Sequence, residues 1–191
     1  MEQTELQTFQ LDSPLQLLIK LSWGIKQLKA ALGSADMPGS FFPAVYTAFD
    51  CTITAWQMSD WVYAFSSGRT ELPLSLDPKF SKSEKLRRFQ AWVCEESPHL
   101  RICMHIANSN KHFGVSRHRD PGLKVSIDWK VESQMSAGMT VGRPLVDRSY
   151  KLMVTDGGVS YEILQILVKA HDFWADQINE PSLIGLYDKN S

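Results

Sequence analysis

Over several long stretches of the chain apolar residues return every three to four positions, and over one short stretch they alternate with polar ones. The first pattern predicts helices and the second a strand. Leu18, Leu21, Ile25, Leu28 and Leu32 mark the first helix. Ser13-Pro14-Leu15-Gln16 supplies its start, with a capping serine, a proline suited to the first turn and a glutamine placed for a capping box. Gly33 is placed to end it in the left-handed conformation. From Ala44 to Ser66 there is no Gly or Pro and most sides are apolar, which predicts a long, largely buried helix. Gly68, Pro73 and Pro78 make the stretch from Ser67 to Lys82 a surface connection. Ser81-Lys82-Ser83-Glu84 is a second capping-box pattern, opening a helix with Leu86, Phe89 and Val93 on one side. Ser97-Pro98 restarts the chain as a further helix to about His112, with Ile102, Ile106 and Phe113 inward and Gly114 as its stop.

The period then changes. Val125, Ile127, Trp129 and Val131 fall on one side and Ser126, Asp128 and Lys130 on the other, the pattern of a half-buried strand. Met139 to Val146 and Tyr150 to Thr155 are the expected partners, with Pro144 confining the former to an edge or strand end. Asp156-Gly157-Gly158 reads as the turn leaving the sheet, and Ser160 to Asn179 as the closing helix, stopped by Pro181. The expected fold class is therefore α+β and mainly helical. About five helices are expected, with a small three-stranded antiparallel sheet inserted before the last, packed on one side of the bundle. Nothing resembling a linker divides the 191 residues, so one domain is expected over 1–191, with 1–12 flexible and 123–156 forming the β insert.

Composition narrows the function classes. With 20 Lys plus Arg against 21 Asp plus Glu the formal net charge is -1, which excludes a globally basic nucleic-acid binder and leaves only local binding. Three cysteines, Cys51, Cys94 and Cys103, form no Cys-x-x-Cys pair, so neither a disulfide framework nor a zinc knuckle is suggested. A reducing cytoplasm is the expected location. Met1 to Gln10 is polar and unlike a signal peptide, and lysines interrupt the apolar stretch Leu15 to Leu32, so no membrane anchor is expected.

The richest chemistry lies in Arg101, His105, Asn108 and His112, which fall within ~60° on one helical face and include no carboxylate. They can form a site for anion binding or proton transfer, or a solvated face whose groups satisfy neighbouring backbone. Lys111, His112, Arg117, His118 and Arg119 make the basic cluster, a candidate contact for RNA or DNA phosphates or simply a solvated loop. Asp50 and Asp60 lie ~15 Å apart along one helix, too far to act as a carboxylate pair. Asp60, between Trp56 and Trp61, reads as a buried acceptor, and His171 as a satisfied core histidine. No metal set or cofactor motif is found, so none is expected.

Ala55-Trp56-Gln57-Met58-Ser59-Asp60-Trp61 on one helix and Ala107-Asn108-Ser109-Asn110-Lys111-His112-Phe113 on another resemble those of short bacterial and phage proteins whose helical core is similar to the HEPN class. The resemblance covers Ala44 to Phe113. It implies a helical bundle, often dimeric, of the kind met in toxin–antitoxin and phage-defence systems. Active members of that class cut RNA without metal, using an Arg followed by four to six residues and a His. Here His112 would need Arg at His105, Ile106 or Ala107, and Arg101 precedes His105 too closely.

The first expectation is accordingly a non-catalytic interaction protein of a defence or counter-defence system, its six Trp suiting a protein interface. The second is a metal-independent ribonuclease, in which His105 or His112 moves the proton and Arg101 or Lys111 stabilises charge. Such a site would be assembled by a homodimer, since Arg101 and His112 are spread over ~16 Å of one helix. The third is a regulatory nucleic-acid binder using the basic cluster.

Overall fold

A computed structural model describes residues 11–34, 41–66, 79–111, 122–132 and 147–183. Five helices are described: α1 (Pro14–Gly33), α2 (Phe42–Ser66), α3 (Lys82–Glu96), α4 (Pro98–Lys111) and α5 (Ile163–Gln177). A three-stranded antiparallel sheet of β1 (Leu123–Glu132), β2 (Asp147–Asp156) and β3 (Val159–Glu162) precedes α5. The chain is α+β and mainly helical, as its periodicities predict. The expected flexible stretch 1–10, most of the Ser67–Lys82 connection, Gly114 and the expected strand Met139–Val146 lie outside the described residues. Leu11, expected to be flexible, packs partly against the core.

Helix starts follow the local chemistry. Ser13 Oγ accepts the Gln16 amide at 3.4 Å, while the Gln16 side chain accepts the Asp12 amide, one residue ahead of the capping-box position. At α3 the box is complete: Ser81 Oγ accepts from the Glu84 amide at 3.3 Å and Glu84 Oε2 accepts from the Ser81 amide at 2.9 Å. Gly33 does not end α1 in a left-handed turn. It stays helical, and Ser34 closes the helix by donating its amide and its hydroxyl to the Ala30 carbonyl.

The core is built from the predicted stripes. Leu18, Leu21, Ile25 and Leu28 of α1, Phe89 and Val93 of α3, Ile102 and Ile106 of α4, and Ile163, Leu167, Ala170 and Trp174 of α5 are buried around Ala44, Ala55 and Met58 of α2. Helices α1 and α2 lie close because Gly24 has no side chain: a Cβ there would stand 2.7 Å from Cys51 Sγ. Lys20 Nζ donates to Thr54 Oγ1 at 2.7 Å beside that contact.

The sheet departs from expectation in two ways. Gly157 and Gly158, at φ 56° and 88°, form a two-residue hairpin turn and return the chain into β3, where a helix start was expected. Two successive positive φ values suit the tight hairpin, and glycine adopts them without strain. The exit is instead Glu162, the N-cap of α5. The second departure is burial. In β2, Leu152 and Val154 are buried, while their partners across the register, Ile127 and Val125, are 51% and 59% exposed. Helix α1 packs on β2 and helix α5 on β2 and β3, and among the described residues no comparable helix contact reaches β1. The alternation in β1 thus marks an apolar face that the helices leave open.

Gly24→Ala is expected to destabilise the protein by ~1–3 kcal/mol through overpacking, although alanine ordinarily favours a helix interior. Urea unfolding measures it, and adding Cys51→Ala should recover much of the loss. A single variant as stable as the parent would contradict the close approach.

Candidate functional site

Arg101 leaves α4 toward the sheet, where its Nη2 lies 2.5 Å from Asp156 Oδ2. The Arg101 side chain is 39% exposed and that of Asp156 is 13% exposed. Asp156 is the last residue of β2, immediately before the glycine hairpin, so the pair ties α4 to the sheet. His105 and Asn108 follow on the same helical face, both half-buried, as their spacing predicts, and Ser109 Oγ donates to the His105 carbonyl at 2.8 Å. The stripe has no carboxylate of its own in sequence, but β2 supplies one across 55 positions. A guanidinium already engaged by a carboxylate is a weaker anion site than the bare stripe implies.

Lys111 is the last residue of α4, while His112, Arg117, His118 and Arg119 lie outside the described residues. Asp60 corrects its sequence reading. It is exposed rather than buried, and Oδ1 accepts from the Gln90 side-chain amide Nε2 at 3.1 Å. The same Gln90 nitrogen lies 3.2 Å from Ser59 Oγ, so the contact joins α2 to α3 at the surface. Asp50 is also exposed.

The least legible cluster is buried. His171 has no exposed surface, and its Nε2 lies 2.7 Å from Ser22 Oγ on α1, while its Nδ1 lies 3.5 Å from Asp172 Oδ1. Serine, histidine and aspartate in this order invite comparison with a nucleophilic triad. Ser22, however, sits mid-helix and buried, and neither of the two clefts described below touches the three residues. The cluster fastens α5 to α1. Burial pushes the His171 imidazole below its ordinary pKa, with Asp172 partly opposing, and His99 is lowered by burial and by Lys169.

The thiols are held protonated: burial pushes Cys51 up to about 12 and Cys94 up to about 11, and raises Cys103 as well. Cys94 Sγ lies 3.7 Å from Met104 Sδ. Among the described residues no three His, Cys, Asp or Glu converge as a metal site, and no helix is long and apolar enough to cross a membrane.

Two clefts remain. The larger, about 370 Å³, lies at the end of the bundle between Ser13, Leu15, Val62, Phe65, Gln177 and Asn179. The smaller, about 70 Å³, is almost wholly apolar and lies where Val45, Phe49 and Ile106 meet Val125, Leu152 and Ile163. Phe42 and Tyr46, one turn earlier on α2, are 55% and 63% exposed, and their rings stack at 6.0 Å. No family model, curated protein or solved structure matches the chain.

Because His171 has its pKa lowered by folding, the unfolded chain takes up the proton first. Its stabilising contribution is full above the unfolded value of about 6.5 and is lost as pH falls from there toward the lowered folded value. The urea midpoint should therefore drop between neutral and mildly acid pH. His171→Gln should lower stability at neutral pH by ~1–3 kcal/mol and flatten that slope. An unchanged slope in the variant would assign the pH dependence elsewhere. Asp60→Ala, removing an exposed contact, should change stability by less than ~1 kcal/mol in the same assay.

Proposed function

We propose that the protein is a non-catalytic interaction protein built on a HEPN-like helical scaffold. The observation that carries this reading is apolar surface left exposed on two elements: the stacked Phe42 and Tyr46 of α2 and, beside the small cleft, Val125 and Ile127 of β1. Exposed apolar surface of this kind costs solubility unless a partner covers it, and it marks interaction sites. The exposed aromatic pair supplies the large, rigid contact area on which protein interfaces depend. The engagement of Arg101 by Asp156 speaks in the same direction, since an arginine committed to a carboxylate is poorly placed to stabilise the charge of RNA cleavage. A role in bacterial or phage defence or counter-defence follows from the resemblance alone, and a cytoplasmic setting from the unpaired cysteine pattern; together they form the biological half of the proposal.

The test is a pair of assays on untagged protein. Short RNA incubated with the parent in EDTA should remain intact, and RNA cleavage that His105→Ala abolishes would establish the ribonuclease reading instead. Binding to a partner recovered from the source cell should weaken by ~10-fold or more in the double variant Phe42→Ser with Tyr46→Ser, because exposed aromatic anchors at an interface are commonly worth that much. Binding unaffected by the double variant would rule out Phe42 and Tyr46 as the partner's contact.

A further inference from the structure

The outer edge of β1 and its open apolar face form one surface, and the sequence of that strand suits it to a single kind of partner. In the sheet order β1-β2-β3, the described residues place β2 on one side of β1 and no strand on the other. The strand is ten residues long and contains no proline. Val125 and Ile127 stand more than half exposed on the side that faces the helical layer, and Lys124, Ser126 and Asp128 are exposed on the other. An edge of this length with an uncovered apolar face pairs with another strand unless something blocks it, and no inward charge or proline does so over Leu123–Asp128.

We propose that β1 pairs antiparallel with β1 of a second copy of this chain, about a twofold axis at Ser126, joining two three-stranded sheets into one of six. The inference rests on the reading of the exposed apolar residues as interaction surface and names the partner of those on β1. The charge pattern selects both partner and register. With the axis at Ser126, Lys124 of each copy faces Asp128 of the other, twice by symmetry, and Val125 faces Ile127, so opposite charges and apolar side chains meet together. A slip that puts odd positions opposite even ones sets apolar side chains against polar ones. Moving the axis to Ile127 puts Lys124 opposite Lys130, and moving it to Asp128 puts that carboxylate opposite its own copy. Moving it to Trp129 also pairs opposite charges, Asp128 with Lys130, and each of the two registers pairs seven residues. The Trp129 axis, however, carries the exposed Lys124 and Val125 past Glu132, whereas the Ser126 axis keeps both opposite complementary partners. The Ser126 register pairs the exposed residues of β1 on both faces, Lys124 with Asp128 and Val125 with Ile127.

The experiment is analytical ultracentrifugation of the full chain and of two charge reversals, Lys124→Asp and Asp128→Lys, each first checked for folding by circular dichroism and thermal melting. The parent should sediment as a dimer at micromolar concentrations. Each reversal alone creates two like-charge pairs in the homodimer and should raise its dissociation constant ~10-fold or more. Mixing the two variants restores both opposite-charge pairs, so the mixture should dimerise as tightly as the parent. A monomeric parent, or a mixture no tighter than its components, would overturn the proposal. Should Asp128→Lys fail to fold, because Asp128 also faces Lys151 within the sheet, the arm is repeated with Lys124→Asp and the milder Asp128→Asn. There the mixed species should again be tighter than the Lys124→Asp homodimer, and equal affinities would overturn the proposal. Partner binding through Phe42 and Tyr46 is read separately, so loss of one result leaves the other standing.

Discussion

Trp174 is wholly enclosed, and its indole Nε1 donates to the Ala55 carbonyl at 2.9 Å, joining α5 to α2 across 119 positions. A buried indole without an acceptor would cost about as much as a lost buried hydrogen bond, so this contact fixes both the depth and the rotation of α5. Three residues earlier on the same helix, His171 meets Ser22 of α1. Two buried polar contacts thereby hold α5 against both long helices, and every other placement in the sheet follows from where α5 begins.

Helix α5 starts directly after β3, and the glycine hairpin binds β3 to β2, so fixing α5 fixes those two strands over the core. Leu152 and Val154 bury their side chains as a result, while β1, one strand farther out, overhangs. Arg101 adds a second strap, holding the hairpin end of β2 to α4 through Asp156. The polar stripe directs attention to Arg101 as chemistry, whereas its position gives it a structural task. Rigid support at β2 with an open face at β1 is the arrangement that makes the overhang usable as an interface, since the surface is held in place before any partner arrives.

Local signals were legible and long-range ones were not. Ser13-Pro14, the Ser81–Glu84 box and the helical stripes of α1, α4 and α5 depend on contacts within a few residues, and each element stands where its pattern puts it except at the start of α5, which begins at Ile163 rather than Ser160. The alternation from Val125 to Val131 identifies a strand, but how far its apolar face is covered depends on the reach of helices that follow or precede it by many positions. Asp60 looks buried beside Trp56 and Trp61, yet those tryptophans are themselves only half-buried and the carboxylate points to Gln90 at the surface. β3 is four residues long, too short to show a period against the helix that follows it. Of the candidate stripe, the sequence reveals that Arg101, His105 and Asn108 share a face. It cannot reveal Asp156, because ion pairs across a fold leave no periodic trace.

The claim on which the account turns is that the β1 face is covered in the working protein. Amide hydrogen exchange over residues 123–128, measured on concentrated and on highly diluted protein, tests it most directly, because pairing protects edge amides and dissociation releases them. Strong protection in the concentrated sample that disappears on dilution, with the amides of α1 and α5 unchanged, is the predicted result. Exchange at β1 that is the same at both concentrations would contradict it.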